Sequence, residues 1–129
     1  MKAMINSERG FHLKIYAKII NLAEDYIEKN LNKNILLSDI ANSVHLSEYH
    51  FHRIFRAWSS ETIHQFISRI KLERSAILLV TNQNLSITDI AMQYGYSETS
   101  SYCRAFKKHF KITPMQFRLA RIVKTYEHF

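Results

Sequence analysis

Ser97 to Phe117, SETSSYCRAFKKHFKITPMQF, decides how the whole chain is read, and its centre is the segment Glu98 to Phe110. Wound as a helix at about 100° per residue, this segment puts Tyr102, Ala105, Phe106 and His109 on one side. Ser100, Cys103, Arg104, Lys107 and Lys111 fall on the other. Such a helix seals a small core with its apolar face. Its polar face offers hydroxyl, thiol, guanidinium and ammonium groups to an anion.

The arrangement occurs twice. In Ser47 to Phe66, Phe51, Ile54, Phe55 and Trp58 share a face opposite Tyr49, His52, Arg53 and Arg56. A shift of 51 residues lays Phe51 on Tyr102, Arg53 on Arg104, Phe55 on Phe106, Arg56 on Lys107, Thr62 on Thr113 and Phe66 on Phe117. Upstream the match continues at 50 residues, with Asp39-Ile40-Ala41 on Asp89-Ile90-Ala91 and Ser47-Glu48 on Ser97-Glu98. The change of offset predicts one extra residue at the start of the second basic helix.

The 129 residues suffice for one domain or two very small ones sharing an element, and 47% of them are hydrophobic, enough for a core. Two glycines and one proline are too few for a turn-rich β fold, so the chain reads as all-α. The formal charge of +7 points to an anionic partner, nucleic acid or a membrane surface. No apolar run approaches the ~18 residues of a membrane span. A single cysteine, Cys103, excludes an internal disulfide, and the start lacks the apolar core of a signal peptide, so a cytoplasmic location is expected.

In chain order, residues 1–10 read as a mobile lead-in that Gly10 separates from the first helix. In that helix Ile15, Ile19, Leu22, Ala23, Tyr26, Ile27 and Leu31 follow helical spacing. Ser38 is placed as the N-cap of a short helix Asp39 to Val44, and Ser47, with Glu48 in the first turn, caps the next. The short Val44-His45-Leu46 between them is helix-turn-helix spacing. Thr62 and Gln65 open a long helix to about Thr81, some 30 Å at 1.5 Å per residue. Its first half is apolar along Ile63, Phe66, Ile67 and Ile70, and Leu72, Ala76 and Leu79 lie nearly opposite, so it is expected to serve two bundles as a spacer. Ser86 and Asp89 cap Ile87 to Tyr94, and Gly95 supplies a turn residue free to take positive φ, where the first copy has the less comfortable His45. Thr113-Pro114 reads as N-cap and N1 of a last helix to about Lys124. The expected architecture is two helix-turn-helix subdomains, 11–61 and 82–129, joined by a linker helix, 62–81.

For duplex DNA this makes a specific geometric expectation. Recognition helices held about 34 Å apart would enter successive major-groove segments, so a monomer would read two half-sites. Arg53 and Arg104 sit centrally, where bidentate contact to guanine is natural, with Tyr49, His52, Ser100 and Cys103 beside them. Arg56, Lys107, Lys108 and Lys111, towards the helix ends, are placed for phosphates, with Thr113 at the following cap. Read singly, such cations are a solvated face; their repetition at matching positions argues for a contact surface.

Two strings, I-T-D-I-A-M-Q-Y-G-Y-S from Ile87 and R-A-F-K-K-H-F-K-I-T-P-M-Q-F-R from Arg104, resemble the C-terminal signature of the AraC/XylS family of bacterial transcription activators. Their counterparts L-S-D-I-A, F-H-R-I-F-R and R-I-K-L-E-R-S-A extend the resemblance over about Lys14 to Arg118. It implies a seven-helix, two-lobed domain that contacts promoter DNA and recruits RNA polymerase. With little sequence outside that domain, the chain is most similar to the stand-alone MarA/SoxS/Rob type. The family's base-facing residues fall on Tyr49, His52 and Arg53, and on Thr99, Ser100, Cys103 and Arg104. Ser60 and Lys111 stand where many members have glycine, which predicts modest strain in both turns.

Enzyme signals are weak. His50 and His52 diverge on a helix, Cys103 has no partner at zinc-ligand spacing, and no phosphate loop or nucleophile motif is present, so neither catalysis, metal nor cofactor is expected. Cys103 reads as a small groove-facing residue, with a redox switch as the alternative. Two further readings stay open: a helical interaction module for an acidic protein partner, and the DNA-binding fragment of a larger ligand-regulated activator.

Overall fold

A computed structural model describes the backbone of residues 2–127 and the side chains of 12–122. Among the described residues there are seven helices and no strand: α1 (Lys2–Lys29), α2 (Leu37–Ser43), α3 (Glu48–Trp58), α4 (Ile63–Thr81), α5 (Ile87–Gln93), α6 (Thr99–Phe110) and α7 (Pro114–Glu127). Contacts divide the chain into two compact units, Met1–Asn30 with Ile35–Ile67, and Leu31–Asn34 with Ser68–Phe129.

The first unit is built on aromatic rings. Phe51 and Phe55, one turn apart on α3, are buried with centroids 6.1 Å apart, and Phe66 of α4 meets Phe55 edge-on at 5.3 Å. Ile40 and Ala41 of α2 and Ile20, Ala23 and Ile27 of α1 complete the core. Two expectations for α1 are corrected. The helix runs unbroken from Lys2 through Gly10, since one glycine in a helix interior costs only about 1 kcal/mol against alanine and good helix formers flank it. Its buried stripe is also rotated, leaving Ile15 and Leu22 exposed, because the α2–α3 corner engages Ile20, Ala23 and Ile27.

In the second unit Leu72, Ala76 and Leu79 of α4 pack with Ile90 and Ala91 of α5 and Tyr102 and Phe106 of α6. Burying a polar ring in that core requires a partner for its hydroxyl. Tyr102 donates to Ser75 at 2.8 Å, and Ser75 donates on to the Leu72 carbonyl at 2.8 Å. Arg118 of α7, also buried, donates to the carbonyls of Leu79 (2.8 Å) and Asn82 (3.3 Å), closing the C-terminus of α4, where the helix dipole favours a cation. The 31–34 segment joins this unit through Lys71, whose half-buried ammonium donates to the Lys33 carbonyl at 2.9 Å. Burial pushes the Lys71 pKa down.

Helix starts follow side-chain caps, except at α2 and α6. Thr62 with Gln65, Ser86 with Asp89 and Thr113 with Gln116 form reciprocal capping pairs at 2.9–3.2 Å. In α2 the N-cap is Leu36, not Ser38, and the helix starts at Leu37. The Asp39 carboxylate, at the third helical position, accepts from the Leu36 N–H at 3.1 Å and so sets the start. Leu36 stands where the second copy has Ser86 and has no side-chain oxygen, so the Asp39 N–H turns to the Leu36 carbonyl at 3.1 Å.

Two outcomes follow. Leu36→Ser should add a side-chain acceptor at this cap and stabilise the protein by about 1 kcal/mol, read as a rise in thermal midpoint; an unchanged midpoint would count against this account of the cap. Burial pushes the Tyr102 hydroxyl from its ordinary 10.0 to about 12. A raised folded pKa means the unfolded tyrosine ionises first, so this contribution is intact below pH 10 and lost as pH rises towards 12. Tyr102→Phe should therefore melt lower at neutral pH but lose less stability between pH 10 and 12 than the parent; parallel losses would refute the assignment.

Candidate nucleic-acid interface

Each recognition helix is aimed by a left-handed turn residue. His45 has φ 60° and Gly95 φ 82°, and the next amide turns back onto α2 or α5: Leu46 N–H to the Ala41 carbonyl, Tyr96 N–H to that of Ala91, both at 3.0 Å. Glycine at 95 meets a packing limit too, since an added Cβ would lie 3.3 Å from the Lys71 ammonium and 3.5 Å from the Asn32 backbone. The first copy places a histidine in this conformation, and its ring is exposed.

Ser47 accepts from the His50 amide at 3.1 Å, as expected of an N-cap. In the second copy the N-cap is Glu98, its side chain makes no cap bond, and α6 starts at Thr99. The extra residue thus lies in the turn, not inside the helix, because caps 47 and 98 differ by 51 whereas α2 and α5 differ by 50. Neighbouring hydroxyls are tied locally: Thr99 donates to Thr88 at 3.0 Å and Ser100 to the Glu98 carboxylate at 3.4 Å.

On α3 the outward face holds Tyr49, His52, Arg53 and Arg56, all exposed, with Tyr49 at 68%. The Arg53 guanidinium lies over the Tyr49 ring, 5.8 Å from its centroid. On α6, Ser100, Arg104, Lys107 and Lys108 are exposed, and Arg104 reaches the Ser101 hydroxyl at 3.5 Å. Thr99 and Cys103 are only half-buried members of the row, and Cys103 packs against the core formed by Tyr102 and Phe106. Two residues assigned to the inner faces lie outside instead: Trp58 is 44% exposed and His109 is exposed, each in the last turn of its helix.

Beyond α6, Lys111 adopts φ 71° and turns its ammonium onto the Lys108 carbonyl at 3.1 Å, a cation closing a helix C-terminus. Ser60 shows no such strain, because α3 ends on Ser59 in an extended conformation. The Thr113 oxygen accepts from the Gln116 amide, leaving its proton as the group it can offer outward. Sequence reasoning missed Arg118 as the clamp on α4. The shift of 51 sets Ile67 against it, so neither repetition nor periodicity singles it out. No helix among the described residues is long and apolar enough to cross a membrane.

Two helix-turn-helix units, each with its basic helix face turned to solvent, define the class of a DNA-binding regulator. The family described as "Helix-turn-helix domain" matches residues 40–120. PqrA of Proteus vulgaris, a probable transcription factor, is 34% identical over 102 residues, covering 78% of this chain and 83% of that protein. The transcriptional activator AarP of Providencia stuartii is 30% identical over 109 residues, 84% of this chain and 80% of its own. An AraC-type regulator structure from Chromobacterium violaceum superposes with a TM-score of 0.77 at 25% identity, covering 81% of this chain and 93% of that one. The chain belongs to the AraC/XylS family of helix-turn-helix transcription regulators.

Lys111→Gly should raise the thermal midpoint by relieving a left-handed residue of about 1 kcal/mol, and should weaken duplex binding through the lost cation. A fall in the midpoint would show that the Lys108 contact outweighs the backbone strain.

Proposed function

We propose that the protein binds duplex promoter DNA as a monomer, with α3 and α6 entering adjacent major-groove segments, and activates transcription by recruiting RNA polymerase. The observation that carries this reading is the same device built twice: an aromatic pair buried on one face of a helix and an arginine two residues from the first ring turned out on the other. In the proposed roles Tyr49, His52, Arg53, Thr99, Ser100, Cys103 and Arg104 face base edges. Arg56, Lys107, Lys108, Lys111 and Thr113 face phosphates. Exposure supports the arginine and lysine assignments most directly, because an outward cation pays no desolvation until DNA arrives. In this reading the protein acts in the bacterial nucleoid with no catalytic step of its own; AarP is named a transcriptional activator and PqrA a probable transcription factor, which supports the regulatory role.

Selection from random duplexes, followed by affinities on single-base variants across a salt series, tests the division of labour. Arg104→Ala should lose about 1–3 kcal/mol of discrimination at particular guanines. Lys108→Ala should weaken all duplexes alike and reduce the salt slope by about 0.9. Equal losses on every sequence for both variants would overturn the roles. Absence of any duplex preference at moderate salt would favour an acidic protein partner instead.

A further inference from the structure

We propose that Tyr49, though it faces the base edges, acts there as a positioning residue for Arg53: its ring holds the guanidinium in a reading posture, and its hydroxyl is not itself the reader. The proposal rests on the base-reading role given to Arg53 above. Tyr49 lies in the first turn of α3 with 68% of its surface in solvent, so core packing does not explain its size. Four residues on, Arg53 falls on the same face, and its guanidinium carbon stands 5.8 Å from the ring centroid, inside the ~6 Å reach of a cation–π contact. A contact made through the flat face of a guanidinium would leave its in-plane N–H fork open. That fork is what bidentate recognition of a guanine edge uses. An arginine held over a ring before DNA arrives has also surrendered part of the rotamer freedom it would otherwise lose on binding.

The second lobe lacks this support. Ser100 stands where the first has Tyr49, so no ring occupies that position, and Arg104 donates to the Ser101 hydroxyl at 3.5 Å. The two arginines therefore read with different degrees of preorganisation, Arg53 more stringently.

The test is a double-mutant cycle on selected duplexes and their single-base variants, with Tyr49→Ala, Tyr49→Phe, Arg53→Ala and the double Ala variant; Tyr49 is exposed enough for all to fold, which melting curves verify. Arg53→Ala should abolish preference at one guanine. Tyr49→Ala should weaken that same preference by about two- to five-fold, Tyr49→Phe should retain it, and Tyr49→Ala should add no further loss once Arg53 is gone. Equal losses for Tyr49→Phe and Tyr49→Ala would make the hydroxyl the reader and overturn the proposal, as would a Tyr49→Ala effect that persists without Arg53. If Arg53→Ala changes preference and Tyr49→Ala does not, positioning alone fails. If Arg53→Ala changes no base preference, the reading role of Arg53 fails, and positioning with it.

Discussion

The structure depends on two pairs of rings, each pair one helical turn apart: Phe51 with Phe55, and Tyr102 with Phe106, at centroid separations of 6.1 and 5.8 Å. Burying a ring of this size stabilises a small lobe by about 1.5–3 kcal/mol, a large share of what such a lobe has. Two rings on one face also fix the rotation of the helix about its axis. At about 100° per residue, a side chain two positions after the first ring points roughly 200° away. Arg53 and Arg104 are therefore outside because Phe51 and Tyr102 are inside, and the cationic surface is a by-product of core packing.

The copies solve the same local problems with different chemistry. The first caps α2 with a leucine, places a histidine in a left-handed turn and buries plain phenylalanine rings. The second caps α5 with Ser86, uses Gly95 in the turn, gives the buried tyrosine a serine and closes α4 with Arg118. Cap and turn each weigh about 1 kcal/mol towards the second unit. The burial of Arg118 and Tyr102 adds a condition, since each polar group must keep its partner or lose more than an apolar residue would.

Features written in short-range chemistry were legible in the sequence. Capping pairs at Thr62, Ser86 and Thr113 act within three residues, and the aromatic anchors repeat at a fixed shift, so both show in one dimension. The misses share a cause. Which stripe of α1 is buried depends on where the α2–α3 corner meets it, and periodicity alone places Ile15 and Leu22 inside, whereas the structure buries Ile20. Cys103 falls on the open face by its angle and Thr99 by the family resemblance, yet Cys103 is small enough to settle against the core at its edge. Arg118 was unreadable as a clamp, because its partners are main-chain carbonyls 36 and 39 positions away and carry no side-chain signature.

On the proposed reading the two outward faces also divide electrostatic labour. Beside its central arginine, α3 carries Arg56 and His52, whereas α6 and its turn carry Lys107, Lys108 and Lys111. Counterion release scales with the number of phosphates met by full charges, and lysine is a flexible point charge with no preferred acceptor plane. The second face is therefore built for affinity that falls steeply with salt, and the first, with its arginine held over a ring, for geometry that salt disturbs less. A regulator made this way would keep its register from one lobe and its residence from the other, which gives the two copies a reason to differ.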